Sequence, residues 1–286
     1  MKAWNCVAIV GVGLIGGSVG LALRSRKLAK SVVGTGSRSE TLAAAQQLGA
    51  ITSASAEVER AVAEAELIVV CAPVGDIVKQ VCKIAPMCRP GALITDVGST
   101  KASIVAENEL AALSGTWARD VHFVGSHPLA GNEKKGPQFA NADLFAGRTV
   151  VVTPTARTRA EDSAAIAQFW TSLGASVVEM PADEHDRAVA ATSHLPHLVA
   201  AAIAGATPEQ YVRLTASGWQ DTTRISAGDP LLWRQIMLAN RANLLASLDG
   251  FATLLANWRR ALDAGDAVEL ERLLTEAKRI RDAVGN

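Results

Sequence analysis

Residues 5–18 read NCVAIVGVGLIGGS, and this stretch decides the fold of the first half of the chain. Cys6–Val10 is an unbroken apolar run, short enough for a strand that is buried on both faces. The spacing G-x-G-x-x-G follows at once as Gly11, Gly13 and Gly16, and a helical pattern comes after it. A strand, a glycine-rich turn and a helix in this order are typical of dinucleotide-binding proteins.

Each position of the loop needs a glycine for a different mechanical reason. Gly11 allows the tight turn, Gly13 lets the backbone approach a pyrophosphate, and Gly16 lets the helix lie close on the strand. We expect the phosphates at the start of the helix, near Leu14 and Ile15, because unpaired N–H groups and the helix dipole favour negative charge there.

The overall composition excludes some partner classes. The 286 residues carry 28 basic and 28 acidic side chains, a net charge of zero, so neither nucleic acid nor an anionic membrane is an expected partner. The four cysteines show no zinc spacing and fall in or near predicted buried elements, which predicts reduced thiols, no metal site and a cytoplasmic protein. Beyond the glycine-rich start, which is interpreted as a folded element, we expect no apolar run long enough to span a bilayer.

Strand and helix patterns alternate from residue 5 to about residue 180, which favours a parallel sheet. After Pro181 the strand patterns stop. The sequence therefore predicts an α/β Rossmann-type dinucleotide-binding domain over residues 1–181 and an all-α domain over residues 182–286. The predicted strands are Cys6–Val10, Ser31–Thr35, Leu67–Cys71, Ala92–Asp96, His122–Gly125, Thr149–Thr153 and Ser176–Glu179. The predicted helices of the second half are Asp183–Ala204, Pro208–Ser217, Pro230–Ala261 and Ala267–Val284.

In the helical half, apolar residues cover more of the helix surface than the single stripe that one buried face would need. Residues 231–262 place Leu, Ile, Met, Phe and Trp at several angular positions, and a helix that is apolar on most sides is buried on most sides. A second copy of the chain would supply that cover, so the pattern predicts a homodimer through the helical domain. The alternative is a helix wrapped by its own domain.

The residues after the second strand bear on the choice of cofactor. NAD-binding folds place an acidic residue about 20 positions beyond the glycine loop, but that count reaches Gly36, followed by Ser37 and Arg38. A hydroxyl and a guanidinium suit a 2′-phosphate, which predicts NADP. In the alternative, Arg38 only stacks on the adenine, Ser39 caps the next helix, and NAD is still accepted.

Polar segments follow the predicted strands, at the edge of the sheet where ligands of such folds bind. Cys71 and Pro73 follow one strand and are predicted cofactor contacts, as is Ser99 after the next. His127 lies at the end of a further strand.

The sequence resembles the prephenate and arogenate dehydrogenases of tyrosine biosynthesis over essentially its whole length. The shared motifs are the GLIGGS end of the glycine loop, D-V-x-S-x-K at 96–101, H-P-x-A-G at 127–131, S-H-L-P-H at 193–197 and D-x-T-R-I at 221–225. The resemblance also implies a helical domain like that of 6-phosphogluconate dehydrogenase.

The resemblance implies an oxidative decarboxylation, in which a cyclohexadienol passes a hydride to the nicotinamide, loses CO2 and becomes a phenol. On the matching motifs, His127 is the base or hydrogen-bond acceptor for the 4-hydroxyl, and imidazole suits this role because it titrates near neutral pH. Ser99 would orient His127 and contact the nicotinamide side, and Arg224 would hold a substrate carboxylate.

Further residues receive roles from the same resemblance. His197 is a further substrate contact and Trp233 is core or pocket wall, whereas His194 supports the fold. His122 and His185 are interpreted as structural, and a loop staple from Arg224 to Asp221 or Asp229 is the alternative for Arg224. Asn132 and Gln220 depart from residues common in relatives and lie near the substrate side chain, so arogenate stays open beside prephenate.

Two rival functions remain at this point. A β-hydroxyacid dehydrogenase or imine reductase shares the order of domains, but the hydroxyacid enzymes need a lysine early in the helical domain, and none occurs between Lys135 and Lys278. A non-catalytic NADP-binding sensor would have the glycine loop without polar residues at the strand ends, and His127, Ser99 and Arg224 argue against it.

Replacing Arg38 tests the predicted cofactor preference. Arg38→Ala should weaken NADP binding by about 10–100-fold, the loss expected for a hydrogen bond to a charged group, and should change NAD binding much less. Fluorescence titration of both cofactors measures the two affinities. Equal weakening of NAD and NADP would contradict an assignment to the 2′-phosphate.

Overall fold

The computed structural model describes residues 3–131 and 134–285. Its first part is built on one 8-stranded sheet with the strand order β3-β2-β1-β4-β5-β6-β7-β8. The strands are β1 Trp4–Val10, β2 Ala29–Thr35, β3 Ser53–Ser55, β4 Leu67–Val70, β5 Leu93–Asp96, β6 His122–Pro128, β7 Thr149–Thr153 and β8 Ser176–Glu179. The helices that cover it are α1 Leu14–Ser25, α2 Ser39–Gln47, α3 Val58–Val62, α4 Ile77–Ile84, α5 Ala102–Leu113 and α6 Ala160–Ser172.

Strand β1 lies inside the sheet, between β2 and β4, and is buried on both faces as predicted. Val7 and Ile9 belong to the apolar cluster on one face, and Ala8 and Val10 belong to the cluster on the other. Since successive side chains of a strand point to opposite faces, this alternation divides the core into two layers. The Rossmann-type fold predicted from the sequence is confirmed.

One strand pairing differs from the expected parallel sheet. β1 to β6 pair in parallel, but β6 and β7 are antiparallel, with His127 opposite Val151. β7 and β8 then pair in parallel. Strand β3 was not predicted from the sequence, because it has only three polar or small residues at a sheet edge.

The helices after β8 are more broken than the sequence patterns indicate. They are α7 Ala182–Val189, α8 Leu195–Ala206, α9 Ser217–Thr223, α10 Pro230–Ala239, α11 Arg241–Ala264 and α12 Ala267–Ala283. A π-helical turn, Ala190–His194, joins α7 to α8, and Asn240 separates α10 from α11. Instead of an α-helix over Pro208–Ser217, the structure has a 3₁₀ segment, Glu209–Leu214.

The chain divides into two compact units, one that extends to Asn240 and one that begins at Arg241. The second unit contains α11 and α12, and among its described residues, 241–285, the buried apolar ones are Leu244, Ala261 and Leu273. The domain boundary after residue 181 stays a prediction.

The sequence predicts no further apolar run long enough to cross a bilayer. Judged by length and composition alone, this prediction is wrong, because one helical run meets both criteria. Residues Ala182–Ala206 form a helical run of 25 residues, and an 18-residue window within it has a mean hydropathy of 1.3. The run nevertheless carries His185, Asp186, His194 and His197 as buried side chains. Its polar groups contribute to the candidate site described below.

A buried ion pair joins the end of β5 to the start of α5. Asp96 and Lys101 are both fully buried, and the Lys101 ammonium contacts the Asp96 carboxylate. Burial lowers the pKa of Lys101, while the charge of Asp96 and its hydrogen bond oppose that shift. Asp96 also accepts hydrogen bonds from the backbone N–H groups of Gly98 at 2.8 Å and Ser126 at 3.1 Å. The carboxylate therefore holds three segments at the carboxyl edge of the sheet.

Removing one partner of this pair should destabilise the fold strongly. Lys101→Met leaves Asp96 as an uncompensated buried charge, so the free energy of unfolding should fall by about 3–5 kcal/mol. The matched control is Lys83→Met, which breaks an exposed 3.4 Å pair with Glu59 and should cost less than about 1 kcal/mol. Urea denaturation measures both losses, and equal losses would contradict the role given to the buried pair.

Candidate active site

The glycine loop presses closely on the sheet. Gly11 has a φ of +97°, and a Cβ added there would lie 2.4 Å from the carbonyl oxygen of Cys71, just after β4. A Cβ on Gly16 would lie 2.0 Å from the carbonyl oxygen of Gly11. Both distances are far below van der Waals contact, so neither position tolerates a side chain without rearrangement. The loop is thereby fixed against the carboxyl ends of β1 and β4.

Gly13 differs from its two neighbours, because a Cβ there would meet nothing within 4 Å. It precedes α1, whose N-terminus has no side-chain cap. The backbone N–H groups at Leu14 and Ile15 belong to the first turn, which lacks intrahelical partners. The space in front of Gly13 and these donors fit a pyrophosphate group.

Ser37 and Arg38 lie just beyond β2, next to the turn of the glycine loop. Both side chains are exposed, and neither has a hydrogen bond or an ion pair across residues 3–131 and 134–285. Arg38 occupies the N-cap position of α2 in an extended conformation, and Ser39 is already the first helical residue. The suggestion that Ser39 caps this helix is therefore wrong, and the Arg38 guanidinium has no structural partner in the described chain.

The loops after β4 and β5 border the same edge of the sheet. The Cys71 N–H donates a 2.7 Å hydrogen bond to the carbonyl oxygen of Val10, and burial raises the pKa of its thiol. Pro73 is exposed, and Ser99 is half-buried shortly after β5. These predicted cofactor contacts follow neighbouring parallel strands, where ligands of open α/β sheets bind.

His127, at the carboxyl end of β6, begins a chain of hydrogen bonds. Its Nδ1 lies 2.8 Å from Nε2 of His185, whose Nδ1 lies 2.7 Å from the Asp186 carboxylate. Asp186 in turn accepts hydrogen bonds from the backbone N–H groups of Lys101 at 2.7 Å and Ala102 at 2.9 Å, at the N-terminus of α5. All three side chains are buried. Residues from β6, α5 and α7 thus form one network.

The network determines which ring nitrogens carry protons. Burial alone would raise the pKa of Asp186, but hydrogen bonds from His185 and from the backbone outweigh it, and the pKa is lowered. The ionised Asp186 accepts the N–H at Nδ1 of His185. When His185 is neutral, its Nε2 accepts the N–H at Nδ1 of His127. Nε2 of His127 then has a free lone pair and no hydrogen bond within the described residues.

The protonation state of His127 suits a base. Burial lowers its pKa well below the usual value, and the nearby groups His185, Lys101 and His194 lower it further. The imidazole is therefore neutral at pH 7 and able to accept a proton at Nε2.

The orienting partner of His127 differs from the one expected. The resemblance assigns that role to Ser99, but no hydrogen bond joins Ser99 to His127 in the part of the chain that the structure describes. His185, interpreted from the sequence as structural, holds Nδ1 instead. The sequence signal that could have indicated this role of His185 is a histidine followed directly by an aspartate at the start of the helical half. The position of Ser99 beside the nicotinamide stays a prediction.

Ser126 fixes the strand on which His127 lies. Its hydroxyl donates to the carbonyl oxygen of Asp96 at 2.6 Å and accepts the indole N–H of Trp170 at 2.9 Å. Its Oγ also lies 2.8 Å from the hydroxyl of Thr95. All four residues are buried, so the end of β6 is held rigidly against β5 and α6.

A second pair of polar groups extends the network into the helical part. The side-chain amide of Asn240 donates to the carbonyl oxygen of Asp186 at 2.7 Å and lies 3.1 Å from Nδ1 of His194. Because an amide NH2 only donates, His194 accepts at Nδ1. Burial lowers the pKa of His194 to about 4. Sequence analysis missed Asn240, since an isolated asparagine after an apolar helix gives no sign of its distant partners.

His197 and Trp233 form a stacked pair, with ring centroids 3.5 Å apart and an interplanar angle of 12°. His197 is buried, and its Nδ1 has no hydrogen-bond partner in the described residues. A Cβ added to Gly228 would lie 2.6 Å from the indole nitrogen of Trp233, so the segment before α10 lies directly against this pair. Trp233 also contacts the ring of His194 edge-on. The structure therefore connects His127 to His197 through adjoining side chains.

Arg224 begins a 3₁₀ turn, Arg224–Ala227, that packs on α8. Its side chain is exposed and forms no ion pair in the described part of the chain. The loop staple to Asp221 or Asp229 is therefore absent there; Asp229 instead pairs with Lys135 and caps α10. Gln220 is exposed in α9, and Asn132 lies outside the described residues. A direct contact between Arg224 and the His127 end of the site stays a prediction.

The fold and the site define a nicotinamide-dependent oxidoreductase, with a dinucleotide loop and a neutral, oriented histidine at one edge of a sheet. The sequence profile of the nucleotide-binding domain of prephenate dehydrogenases matches residues 19–179, and that of their dimerization domain matches residues 181–276. The chain belongs to the prephenate dehydrogenase family, as its motifs predict.

The similarity to known proteins extends over nearly the whole chain. The cyclohexadienyl dehydrogenase of Zymomonas mobilis is 33% identical over 99% of this chain and 97% of its own length. The prephenate dehydrogenase of A. aeolicus, solved with hydroxyphenyl propionate and NAD+, has a TM-score of 0.89, 30% identity and 98% coverage of both chains. The arogenate dehydrogenase of Synechocystis has a TM-score of 0.80 and 30% identity, over 98% of this chain and 99% of its own.

Buried histidines should make the fold sensitive to acid. Each of His127, His194 and His197 has a lowered pKa in the folded chain, whereas unfolded histidine titrates near about 6.5. Below that pH the unfolded state binds more protons than the folded state. The free energy of unfolding should therefore be steady above about pH 6.5 and fall as the pH drops through the pKa values that the histidines have in the folded chain.

Urea denaturation between pH 8 and about pH 4.5 measures this change. In His194→Gln the fall should be shallower, because one of the titrating groups is gone. A free energy of unfolding that stays level through this window would contradict the neutral, buried histidines of the network.

Proposed function

We propose that this enzyme converts prephenate to 4-hydroxyphenylpyruvate by oxidative decarboxylation, with NADP as the hydride acceptor. The observation that carries the proposal is the state of His127, which is neutral, held at Nδ1 and free at Nε2. A nicotinamide bound by the glycine loop supplies the acceptor for the hydride that leaves C4 of the substrate. His127 takes the proton of the 4-hydroxyl at Nε2 as the hydride leaves, so that C4 becomes a carbonyl. Loss of CO2 then makes the ring aromatic, and the proton returns from Nε2 to the phenolate oxygen.

The His185–Asp186 pair orients His127 for its role as a base. When His127 accepts a proton at Nε2, its Nδ1–H still donates to His185, and the positive charge lies near the Asp186 carboxylate. Fixing the ring also removes the cost of orienting it in the transition state. In this role His185 and Asp186 act as positioning residues.

We assign the substrate carboxylates to the helical side of the site. The guanidinium of Arg224 is exposed and has no ion pair among the described residues, so it suits a bidentate contact with a carboxylate. His197 has a buried Nδ1 without a partner and is stacked on Trp233, so the pair suits the wall of a substrate pocket. We place Gln220 and Asn132 near the substrate side chain and Ser99 beside the nicotinamide.

The NADP preference is supported by what surrounds the end of β2. Ser37 and Arg38 offer a hydroxyl and a guanidinium without other partners in the described chain, and no carboxylate occupies positions 36–38. A 2′-phosphate would satisfy both donors. Use of NAD is the alternative, and the A. aeolicus relative was solved with NAD+.

Arogenate is the second candidate substrate. It carries an amino acid where prephenate carries a keto acid, and the neutral Gln220 gives no added preference for the more negative prephenate. The similarity to the Synechocystis arogenate dehydrogenase supports the same alternative. With arogenate, the same chemistry at His127 would yield tyrosine directly.

We further propose a cytoplasmic homodimer joined through the helical domain. The match to a dimerization domain supports the dimer. So do the exposed apolar side chains of α11 and α12, which within their own unit lack cover: Leu245, Leu254, Leu255, Leu262, Leu274 and Ile280. Four free cysteines with raised pKa values fit a reducing compartment.

Replacing His127 tests the proposed chemistry. His127→Asn should lower turnover by about 10²–10⁴-fold, the usual contribution of a general base, and leave the affinity for NADP unchanged. Absorbance of the reduced nicotinamide, with prephenate and with arogenate, measures turnover and identifies the substrate. His122→Gln, at the other end of β6, is the matched control and should keep turnover.

Two outcomes would contradict the proposal. If neither substrate reduces NADP or NAD in the unaltered enzyme, the sensor function is favoured. If His127→Asn loses cofactor binding as fully as turnover, His127 has a structural role.

A further inference from the structure

The proposed function gives no role to His194, although this buried side chain lies among the groups of the candidate site. Its ring meets that of Trp233 edge-on, with the centroids 6.2 Å apart and the planes at 83°. The nearness of His194 also lowers the pKa of His127. His194 therefore adjoins both the proposed base and the stacked pair of His197 and Trp233.

The backbone reaches His194 through an unusual turn. Ala190–His194 form the π-helical turn between α7 and α8, and His194 is its last residue. A turn of this kind breaks the regular α-helical pattern and occurs frequently at functional sites. His197 follows three residues later, so the two histidines lie on one face of the helix, and Trp233 contacts both rings. The turn thus places His194 on the side that faces the site.

Asn240 determines which ring nitrogen of His194 carries the proton. One side-chain atom of Asn240 lies 2.7 Å from the carbonyl oxygen of Asp186, and because a carbonyl only accepts, that atom is the amide nitrogen. The same nitrogen lies 3.1 Å from Nδ1 of His194, which therefore accepts its second hydrogen. Burial lowers the pKa of His194 to about 4, so the ring is neutral near pH 7. A neutral imidazole that accepts at Nδ1 carries its proton on Nε2.

The N–H at Nε2 of His194 is available to a ligand. It has no hydrogen bond in the part of the chain that the structure describes. Unlike Nδ1 of His197, Nε2 of His194 is not sealed inside the protein and keeps accessible surface. Because Nδ1 faces Asn240, the N–H at Nε2 points away from it, on the other side of the ring. His194 therefore offers an oriented donor with room for an acceptor atom.

His127 and His194 offer opposite hydrogen-bonding groups. Nε2 of His127 has a lone pair and no partner within the described residues, whereas Nε2 of His194 carries a hydrogen. An alcohol donates one hydrogen bond and also accepts. A single hydroxyl oxygen between the two rings would satisfy both nitrogens. The 4-hydroxyl of the substrate is the alcohol that the proposed function brings to His127.

We propose that His194 is a further catalytic residue, which donates a hydrogen bond from Nε2 to the 4-oxygen of the substrate, and that Asn240 is its positioning residue. This role depends on the proposed function. As the hydride leaves C4, the oxygen passes its proton to Nε2 of His127 and becomes a carbonyl oxygen. When the bond between C1 and the departing carboxylate breaks, the electron pair moves through the ring to the same oxygen. The N–H of His194 is not transferred, and it stabilises the negative charge that develops there.

Turnover of prephenate or arogenate, whichever the enzyme accepts, tests the donor in two variants of His194. His194→Leu removes it and should lower kcat by about 100-fold, as loss of one donor to a developing oxyanion does. His194→Gln keeps an amide N–H near the place of Nε2, so its kcat should stay within about 10-fold of that of the unaltered enzyme. Both variants should bind NADP as the unaltered enzyme does. Fluorescence titration measures that affinity and shows whether the variants are folded.

Binding of two substrate-like acids identifies the oxygen that His194 contacts. Hydroxyphenyl propionate carries the ring hydroxyl, phenylpropionate lacks it, and neither has the carboxylate that prephenate carries on its ring. Calorimetric titration of the enzyme saturated with NADP measures both affinities. His194→Leu should weaken hydroxyphenyl propionate by about 3–10-fold, the loss expected for a neutral hydrogen bond, and leave phenylpropionate unchanged. This measurement needs no turnover, so its failure is distinguishable from failure of the proposed function.

A double variant tests the role of Asn240. Asn240→Leu should lower kcat by about 3–10-fold, because the ring of His194 loses the hydrogen bond that fixes its proton. Combined with His194→Leu it should add no further loss, since the two residues act as one unit. The matched control is Asn108→Leu in α5, which removes another buried asparagine amide, bonded to the carbonyl oxygen of Ile104 at 2.8 Å. This control should leave kcat and both affinities unchanged.

Three results would overturn the role of His194. One is a folded His194→Leu variant whose kcat stays close to that of the unaltered enzyme. Another is a His194→Gln variant that loses as much kcat as His194→Leu, since the donor would then not be the group that matters. The third is equal weakening of the two acids, or no weakening of hydroxyphenyl propionate, which would assign His194 to another part of the substrate. Losses that multiply in the double variant would overturn the role of Asn240.

Discussion

The carboxylate of Asp186 is the group on which the site depends. It lies at the N-terminus of α5, where two backbone N–H groups and the ring N–H of His185 donate to it. A buried carboxylate is costly unless it is hydrogen-bonded, and these donors keep it ionised. Because Asp186 belongs to α7 and its two backbone donors lie at the start of α5, one charge fastens the start of the helical segments to the sheet part of the chain.

The same charge sets the chemistry of His127, two side chains away. An ionised Asp186 accepts the N–H at Nδ1 of His185, and a neutral His185 then accepts from His127 at Nε2. Because His185 holds Nδ1 of His127, the ring nitrogen without a partner in the described residues is Nε2. The end of β6 that carries this histidine is fixed separately by Ser126 and by the buried Asp96–Lys101 pair. The position and the protonation of His127 thus have different structural causes.

How much the sequence predicts depends on whether the physical cause is local. The glycine loop, the buried strand β1 and the switch from strands to helices after Pro181 follow from short-range patterns, and the structure contains all three. The antiparallel pairing of β6 with β7 was not predictable, because the strand pattern is the same for either direction. The π-helical turn before α8 and the break at Asn240 were missed for a related reason, since apolar periodicity runs across both.

The candidate site shows the same division. By itself the sequence determined a dinucleotide-binding fold and the family of the enzyme, and it predicted His127 as the central site residue, because glycine spacing and motifs are properties of neighbouring residues. Only the tertiary structure decided that His185 rather than Ser99 holds His127, and that Asp186 lies on the N-terminus of α5. These contacts join residues 58 and 85 positions apart. Hydrogen bonds of that kind depend on how distant elements pack, which no local pattern encodes.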